Sequence, residues 1–202
     1  MAPALTSYVA VVLAGGRASR LDGADKASVE VHGRTLLARA LDAVVDAAEV
    51  VVVGEQVPTE QPATFVLEDP RHGGPIAALL AGTDVLLRPA ASAPYVVVLA
   101  VDMPLLTSAT VRRLHDAAVS GARDGSDGSD GSDGSVLLGP DGRRQLALVL
   151  RRDRLAAVAP GREERHGASV RSLTGDLALV EVPAEGDEHR DVDTWADLRD
   201  LA

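Results

Sequence analysis

The sequence predicts an α/β fold of three layers, a mostly parallel sheet with helices on both faces. Three observations predict it. The chain opens on an unbroken apolar run, Tyr8 to Ala14, of strand length and without polar alternation, as expected for a strand covered on both faces. Strand-like and helix-like segments then alternate through the first two thirds of the chain. Hydrophobic residues make up 46% of the 202, enough to fill the core of one domain spanning residues 1–202.

The elements follow in order. After the first strand, Leu36, Leu37, Ala40, Leu41, Val44 and Val45 recur at helical spacing and predict an amphipathic helix over 35–47. Val50 to Val53 is a short β-branched strand, and Thr64 to Leu67 is another. Pro75 opens a helix that carries Ile76, Leu79, Leu80, Leu86 and Leu87, with proline at a first-turn position. Tyr95 to Val101 is the strongest strand of the chain. Thr107 to Val119 reads as helix, with Thr107 or Ser108 as N-cap. Residues 121–135 carry Asp-Gly-Ser repeats that offer nothing to bury, which predicts a flexible insertion. Its aspartates recur every third residue, whereas a calcium-binding EF-hand loop needs alternate positions and a closing glutamate. Val136 to Leu138 and Leu146 to Leu150 read as strands joined by the turn Gly139-Pro140-Asp141-Gly142. Asp153 to Ala159 and Ser169 to Leu173 are short helical pieces, Leu177 to Val182 is a last strand, and Thr194 caps a closing helix from Trp195 to Leu201. Right-handed crossovers in such a sheet put the strand ends and their loops on one edge, where ligands bind.

Composition excludes several functions. Aromatic residues are only 2%, which removes the stacking platforms that single-stranded nucleic acid needs. A net charge of −10 argues against a duplex-binding protein, so no nucleic-acid partner is expected. The absence of cysteine excludes disulfides, thiolate nucleophiles and thiolate metal sites. No run reaches the roughly 18 apolar residues of a membrane span, and no membrane partner is expected. The N-terminal apolar stretch has no basic residue before Arg17 and reads as a strand rather than a signal peptide, so a cytoplasmic location is expected.

The residues that carry chemistry begin at Leu13-Ala14-Gly15-Gly16-Arg17-Ala18-Ser19-Arg20, closely followed by Asp25-Lys26. Adjacent glycines after a buried strand let the backbone approach a ligand and turn its N–H groups toward phosphate oxygens. Arg17, Arg20 and Lys26 supply cations for the same anion. The loop matches neither the Gly-x-Gly-x-x-Gly dinucleotide fingerprint nor a P-loop, since no Gly-Lys-Ser/Thr follows. The plainer alternative is a tight turn with exposed cations. Asp102 ends the strongest strand, at the ligand edge of the sheet, where an ionised carboxylate can hold Mg²⁺ beside a phosphate; a turn or N-cap aspartate is the alternative. Glu68-Asp69-Pro70 and Gly73-Gly74-Pro75 form either a second ligand-facing loop or ordinary loop punctuation. Asp191 and Asp193 face the same way if their segment is extended, and then complete a metal site with Asp102, or else cap the last helix. The five histidines show no HExxH spacing, and no Gly-x-Ser-x-Gly elbow occurs.

Together these segments resemble the molybdenum cofactor guanylyltransferase-like (MobA-like) nucleotidyltransferases. That family opens with a strand and Leu-Ala-Gly-Gly-x-x-x-Arg-Met-Gly-x-Asp-Lys, which Leu13 to Lys26 match with Leu21 in place of methionine. The family's Glu-Asp and Gly-Pro loop resembles Glu68, Asp69, Gly74 and Pro75. Its Asp-x-Pro-x-Leu turn resembles Asp102, Pro104 and Leu105. Its closing Asn-x-Asn-Thr-Pro-Glu-Asp-Leu resembles residues 191–198, with aspartates at both asparagine positions. The match is weakest through the Asp-Gly-Ser segment.

The resemblance implies a Rossmann-like sheet of the nucleotide-diphospho-sugar transferase type. It implies an Mg²⁺-dependent transfer of GMP from GTP to the phosphate of molybdopterin, with release of pyrophosphate. A related enzyme using CTP, or another phosphorylated acceptor, stays open, as does a non-catalytic nucleotide-binding homologue. Leu13, Ala14, Gly15, Gly16, Arg17 and Gly74 would contact the nucleotide, and Asp69 would lie near its ribose or base. Arg20 and Lys26 would neutralise the triphosphate. Asp102 would hold Mg²⁺, with Asp191 and Asp193 as further ligands. The strand from Arg144 and Gln145 to Leu148 would face the acceptor.

Overall fold

The structure, a computed structural model, describes residues 7–15, 25–71, 73–86, 93–123 and 131–201. In chain order its elements are β1 (Tyr8–Leu13), the two-residue strands β2 (Glu30–Val31) and β3 (Arg34–Thr35), α1 (Leu36–Ala43), β4 (Val50–Val53), β5 (Thr64–Val66), α2 (Pro75–Leu86), β6 (Tyr95–Ala100), α3 (Ser108–Arg123), β7 (Gly134–Leu138), β8 (Arg144–Arg151), α4 (Arg152–Val158), α5 (Val170–Thr174), β9 (Leu179–Pro183) and α6 (Trp195–Asp200).

Successive side chains of β1 point to opposite faces of the sheet, and both faces are covered. Val9, Val11 and Leu13 share a core with Ile76, Leu79 and Leu80 of α2 and with Leu155 of α4 and Leu173 of α5. Ala10 and Val12 share the other core with Leu37 and Leu41 of α1 and with Val111 and Leu114 of α3. Each fully buried valine or leucine contributes about 1.5–3 kcal/mol. This is why β1, β4 and β6 read as unbroken apolar runs. The three-layer α/β/α expectation is what is observed.

The seven-stranded sheet runs β5-β4-β1-β6-β8-β7-β9. β5, β4, β1 and β6 are parallel. β8 runs against both β6 and β7, and β9 is again parallel to β7. From β1 the chain winds outward to β4 and β5. α2 then carries it back over β4 and β1 to β6 on the other flank of β1. That reversal leaves a crevice beyond the C-terminal ends of β1 and β6, the place where open α/β sheets bind ligands.

Several boundaries differ from expectation. α1 stops at Ala43 rather than 47, because the Val44 N–H turns back to the carbonyl of Leu41 at 3.1 Å. α3 runs on to Arg123, so residues 121–123 are helix and not part of a flexible insertion. At the other end of that stretch, Ser132 N donates to the Gly121 carbonyl at 3.0 Å, and Gly134 and Ser135 already pair in β7. Asp133 accepts from Ala178 N at 2.9 Å and is ion-paired to Arg154 at 2.6 Å, a structural clamp rather than a cation ligand. Residues 124–130, with the remaining repeat aspartates, lie outside the described residues. β2 and β3 form a hairpin through His32 and Gly33, both at positive φ, that the apolar pattern gave no sign of. Among the described residues, no helix is long and apolar enough to cross a membrane.

Candidate active site

Four strand ends finish level at the crevice. Leu13 pairs with Ala100 and with Val53. Beyond them the ladder continues: Ala14 N donates to Val53 O at 2.9 Å, Val101 N to Leu13 O at 3.0 Å, and Gly54 N to Val66 O at 2.9 Å. A Cβ on Gly54 would lie 3.2 Å from Ala14, so a glycine there lets the ends of β1 and β4 close on each other.

Lys26 is aimed into this crevice by its neighbours. Asp25 caps the single 3₁₀ turn Lys26–Ser28, accepting from Ala27 N at 3.2 Å and from the Ser28 hydroxyl at 3.0 Å. Ala27 is buried in the core beneath, which pins the turn. The Lys26 ammonium then lies 3.1 Å from Asp102 Oδ2 and 2.7 Å from Asp193 Oδ1. The Lys26 side chain is 14% exposed, that of Asp102 27% and that of Asp193 48%, so the ammonium and Asp102 are largely withdrawn from water while Asp193 stays half exposed.

Asp193 arrives from the far end of the chain. Val192 is wholly buried, and its N–H donates to the Asp102 carbonyl at 2.8 Å. Thr194 caps α6 as expected. Its hydroxyl accepts from Asp197 N at 3.2 Å, while Asp197 Oδ2 accepts from the N–H groups of Asp193 and Thr194 at 3.0 and 2.7 Å. Upstream, Glu188 is held by Arg113 at 2.8 Å and by the hydroxyl of Thr110. The segment is thus tied to α3 before the cluster and to α6 after it.

The electrostatics follow from burial. Asp102 is pushed above the usual carboxylate range by burial and by the charges of Asp191 and Asp193, with Lys26 opposing the rise. Burial pulls the Lys26 ammonium down, yet its bonds to Asp193 and Asp102 hold it above its ordinary range. Lys26 is therefore a firmly protonated cation.

A cavity of about 390 Å³ opens over the cluster, walled by Leu13, Gly15, Lys26, Glu68, Gly74 and Asp102 among others. A smaller recess of about 160 Å³ continues along Ala14, Gly15, Val53, Gly54 and Glu55. A larger cavity of about 740 Å³ adjoins on the other side. It shares Pro75 and Leu146 with the first and is lined by Arg143, Arg144, Gln145 and Leu148. The N-terminus of α2 points at the shared wall. Gly74 stands there at φ +92°, a backbone conformation that favours glycine, and its carbonyl takes the Ala78 N–H at 3.0 Å.

Leu13, Ala14, Gly15, Lys26, Gly74 and Asp102 are therefore brought together as expected. Gly16, Arg17 and Arg20 lie outside the described residues. Asp69 is exposed, and Glu68 stands on the cavity wall in its place. Asp191 is exposed and reaches Asp102 only through its charge. Among the described residues no three carboxylate or imidazole groups converge to hold a metal by themselves; of the three expected aspartates, Asp102 and Asp193 meet at Lys26. That pair still fits a hard divalent cation, because Mg²⁺ takes one or two carboxylates and completes its shell with phosphates and water. The described wall also carries one cation, Lys26, against Asp102, Glu68 and the nearby Asp193. Sequence reasoning missed the part played by Asp25, although an aspartate two and three residues before a small residue and a serine is a capping signal. It also missed Val192, an apolar residue between two acids.

Residues 10–181 match the family model described as MobA-like NTP transferase domain. A curated protein of Rhodopseudomonas palustris (strain BisB5), named molybdenum cofactor guanylyltransferase, is 37% identical over 120 residues. That match covers 57% of each chain, so the alignment spans a little over half the length of this relative. Two solved structures share the fold. Rv0371c of Mycobacterium tuberculosis H37Rv superposes with a TM-score of 0.71 at 24% identity, covering 97% of both chains. The same protein has also been crystallised as a complex with manganese. Molybdopterin-guanine dinucleotide biosynthesis protein A from Archaeoglobus fulgidus gives 0.65 at 19% identity, covering 95% of both chains.

Proposed function

The chain belongs to the MobA-like NTP transferase family, and on that premise we propose that it transfers GMP from GTP to the phosphate of molybdopterin, releasing pyrophosphate, with Mg²⁺ as the working cation in the cytoplasm. The observation that carries this reading is the Lys26–Asp102–Asp193 cluster. It lies under a cavity at the reversal of the sheet, and that cavity meets a second, larger one across Pro75 and Leu146. One cavity suits the triphosphate and its nucleoside. The other, with Arg143 and Arg144 on its rim, suits a phosphorylated acceptor.

In the reaction, an oxygen of the acceptor phosphate forms a bond to the α-phosphorus of GTP. The bond from that phosphorus to the β-phosphate oxygen breaks, and pyrophosphate leaves with its electron pair. A phosphate monoester has a second pKa of about 6 and is largely dianionic at pH 7, so it needs no general base. Positioning and charge neutralisation do the rest. Lys26, held protonated, offsets charge on the departing pyrophosphate and does not act as a nucleophile. The N–H groups at the start of α2 present the positive end of a helix to the phosphates. Gly15 and Gly54 let the nucleoside lie close to backbone. Asp102 and Asp193 would hold the cation, whose charge lets a triphosphate sit beside carboxylates.

Pyrophosphate release is to be measured with each of the four NTPs, with and without molybdopterin, and with the divalent cation chelated. Release that requires GTP, molybdopterin and the cation together supports the assignment. Release with CTP alone, or without dependence on molybdopterin, overturns the donor or the acceptor respectively.

A further inference from the structure

Lys26 is the only lysine of the chain; the other basic residues are nineteen arginines. Elsewhere in the described structure Glu188 is met by the guanidinium of Arg113 and Asp133 by that of Arg154. At Asp102 and Asp193 alone an ammonium does this work. The two cations are not interchangeable. A guanidinium is a broad planar fork, whereas an ammonium is a compact point charge on a flexible four-carbon stem. Seated within 3.1 Å of one carboxylate and 2.7 Å of another, the ammonium occupies the kind of position that a small hard cation takes.

We infer that Lys26 is an exchangeable internal counter-ion, neutralising Asp102 and Asp193 until a divalent cation takes their oxygens and then passing to the phosphates of the nucleotide. The inference rests on the reading of the cavity as a nucleotide and cation site, but not on turnover. Three observations support it. Two half-buried carboxylates at one place are costly without a cation between them. Two cations sharing the same oxygens repel each other, so the ammonium leaves when the divalent ion arrives. Lys26 lies on the wall of the 390 Å³ cavity together with Gly15, Gly74 and Pro75, so the released charge has the phosphates as its destination. Cation and nucleotide then bind cooperatively, and the coupling is reciprocal.

Two measurements test this at pH 8 without catalysis. In the first, Mn²⁺ and GTP are titrated separately into nucleotide-free wild-type protein, Lys26→Met and Lys26→Arg by calorimetry. Lys26→Met is expected to bind Mn²⁺ more tightly by about tenfold, the scale of one hydrogen bond between charged groups, and GTP more weakly. Lys26→Arg, which keeps the charge, is expected to show no such tightening. Opposite shifts for the two ligands are not what a merely damaged fold produces. In the second, the single ε-amine of the wild-type chain is acetylated and followed by mass spectrometry. Mn²⁺ is expected to speed the labelling and subsequent GTP to slow it. Unchanged or weaker Mn²⁺ binding by folded Lys26→Met overturns the inference, and so does labelling of Lys26 that ignores Mn²⁺; the labelling decides if Lys26→Met does not fold. If the GMP-transfer reading fails instead, pyrophosphate release is absent while cation-dependent labelling persists.

Discussion

β1 and β6 lie side by side for their whole length, and their two ends do opposite things. At the N-terminal end Tyr8 pairs with Tyr95, and the imidazole of His115 from α3 packs on both, with ring centroids 5.5 and 5.3 Å away. Burial lowers the pKa of His115 and pushes the Tyr8 hydroxyl up to about 12, so both groups are kept neutral. At the C-terminal end Leu13 pairs with Ala100, and the next residues lead to Lys26, Asp102 and Asp193, where an ammonium meets two carboxylates. One end buries an aromatic cluster and seals the sheet. The other concentrates charge and leaves it within reach of a ligand. The same pair of strands therefore separates stability from function along its length.

Mutations at the two ends should divide accordingly. The largest effect expected is on stability. Tyr95→Ala should lower the unfolding free energy by about 3 kcal/mol or more, as for other buried aromatic truncations, read from the urea midpoint, with turnover per folded molecule retained. Loss of turnover in step with stability would break the division. Next comes Asp102→Asn, expected to cut pyrophosphate release by about 10²-fold or more, the scale of losing one transition-state stabiliser, while the urea midpoint stays close to wild type. Near-normal release would remove Asp102 from the reaction.

Glu188→Gln stands between the two ends, since Glu188 anchors the segment that delivers Asp193. It should cost about 1.5–3 kcal/mol, as for hydrogen bonds to charged groups. Burial opposes the ionisation of Glu188, but Arg113, Thr110 and the Glu185 N–H hold its pKa below the ordinary glutamate value of 4.5. Its stabilisation is therefore fully present above that value and lost as pH falls through the depressed folded value. Melting curves of wild type and variant should converge in acid. The smallest effect is a slope. With its folded pKa below 6.5, His115 binds protons more readily in the unfolded chain, so stability falls as pH drops below 6.5 toward the folded value. Wild-type protein should show this decline between pH 6.5 and 5, and His115→Phe should show less of it. Equal slopes would mean that the buried end is not closed to protons.

Much of this arrangement was legible in the chain. β1, β4 and β6 are buried on both faces, so their residues cannot alternate, and unbroken Val-rich runs announce them. Asp102 was legible because a carboxylate directly after such a run must lie at the edge of the sheet. The convergence of the cluster was legible in outline, from Asp193 set beside Asp102 and from the family resemblance that brings Lys26 to the same phosphates, but the direct pairing of Lys26 with both carboxylates was not. Lys26 and Asp102 are 76 residues apart, and Lys26 and Asp193 are 167. Their meeting depends on the order in which strands flank β1, which local pattern does not encode. The choice of Glu68 over Asp69 for the cavity wall was also hidden. The alternation of β5 ends at Val66, and beyond it parity no longer tells which side chain faces inward. α3 outran its expected end because Gly121, a poor helix residue by about 1 kcal/mol, has its carbonyl taken by Ser132.

The span between Lys26 and Asp193 has a consequence for biosynthesis. At about 5–20 residues per second, the lysine leaves the ribosome on the order of ten to thirty seconds before the aspartate that completes its pairing. A nascent chain can already hold Lys26 and Asp102, yet it presents only one of the two carboxylates that meet the ammonium. The ion-paired cluster is thus complete only once Asp193 has been made, 167 residues after Lys26.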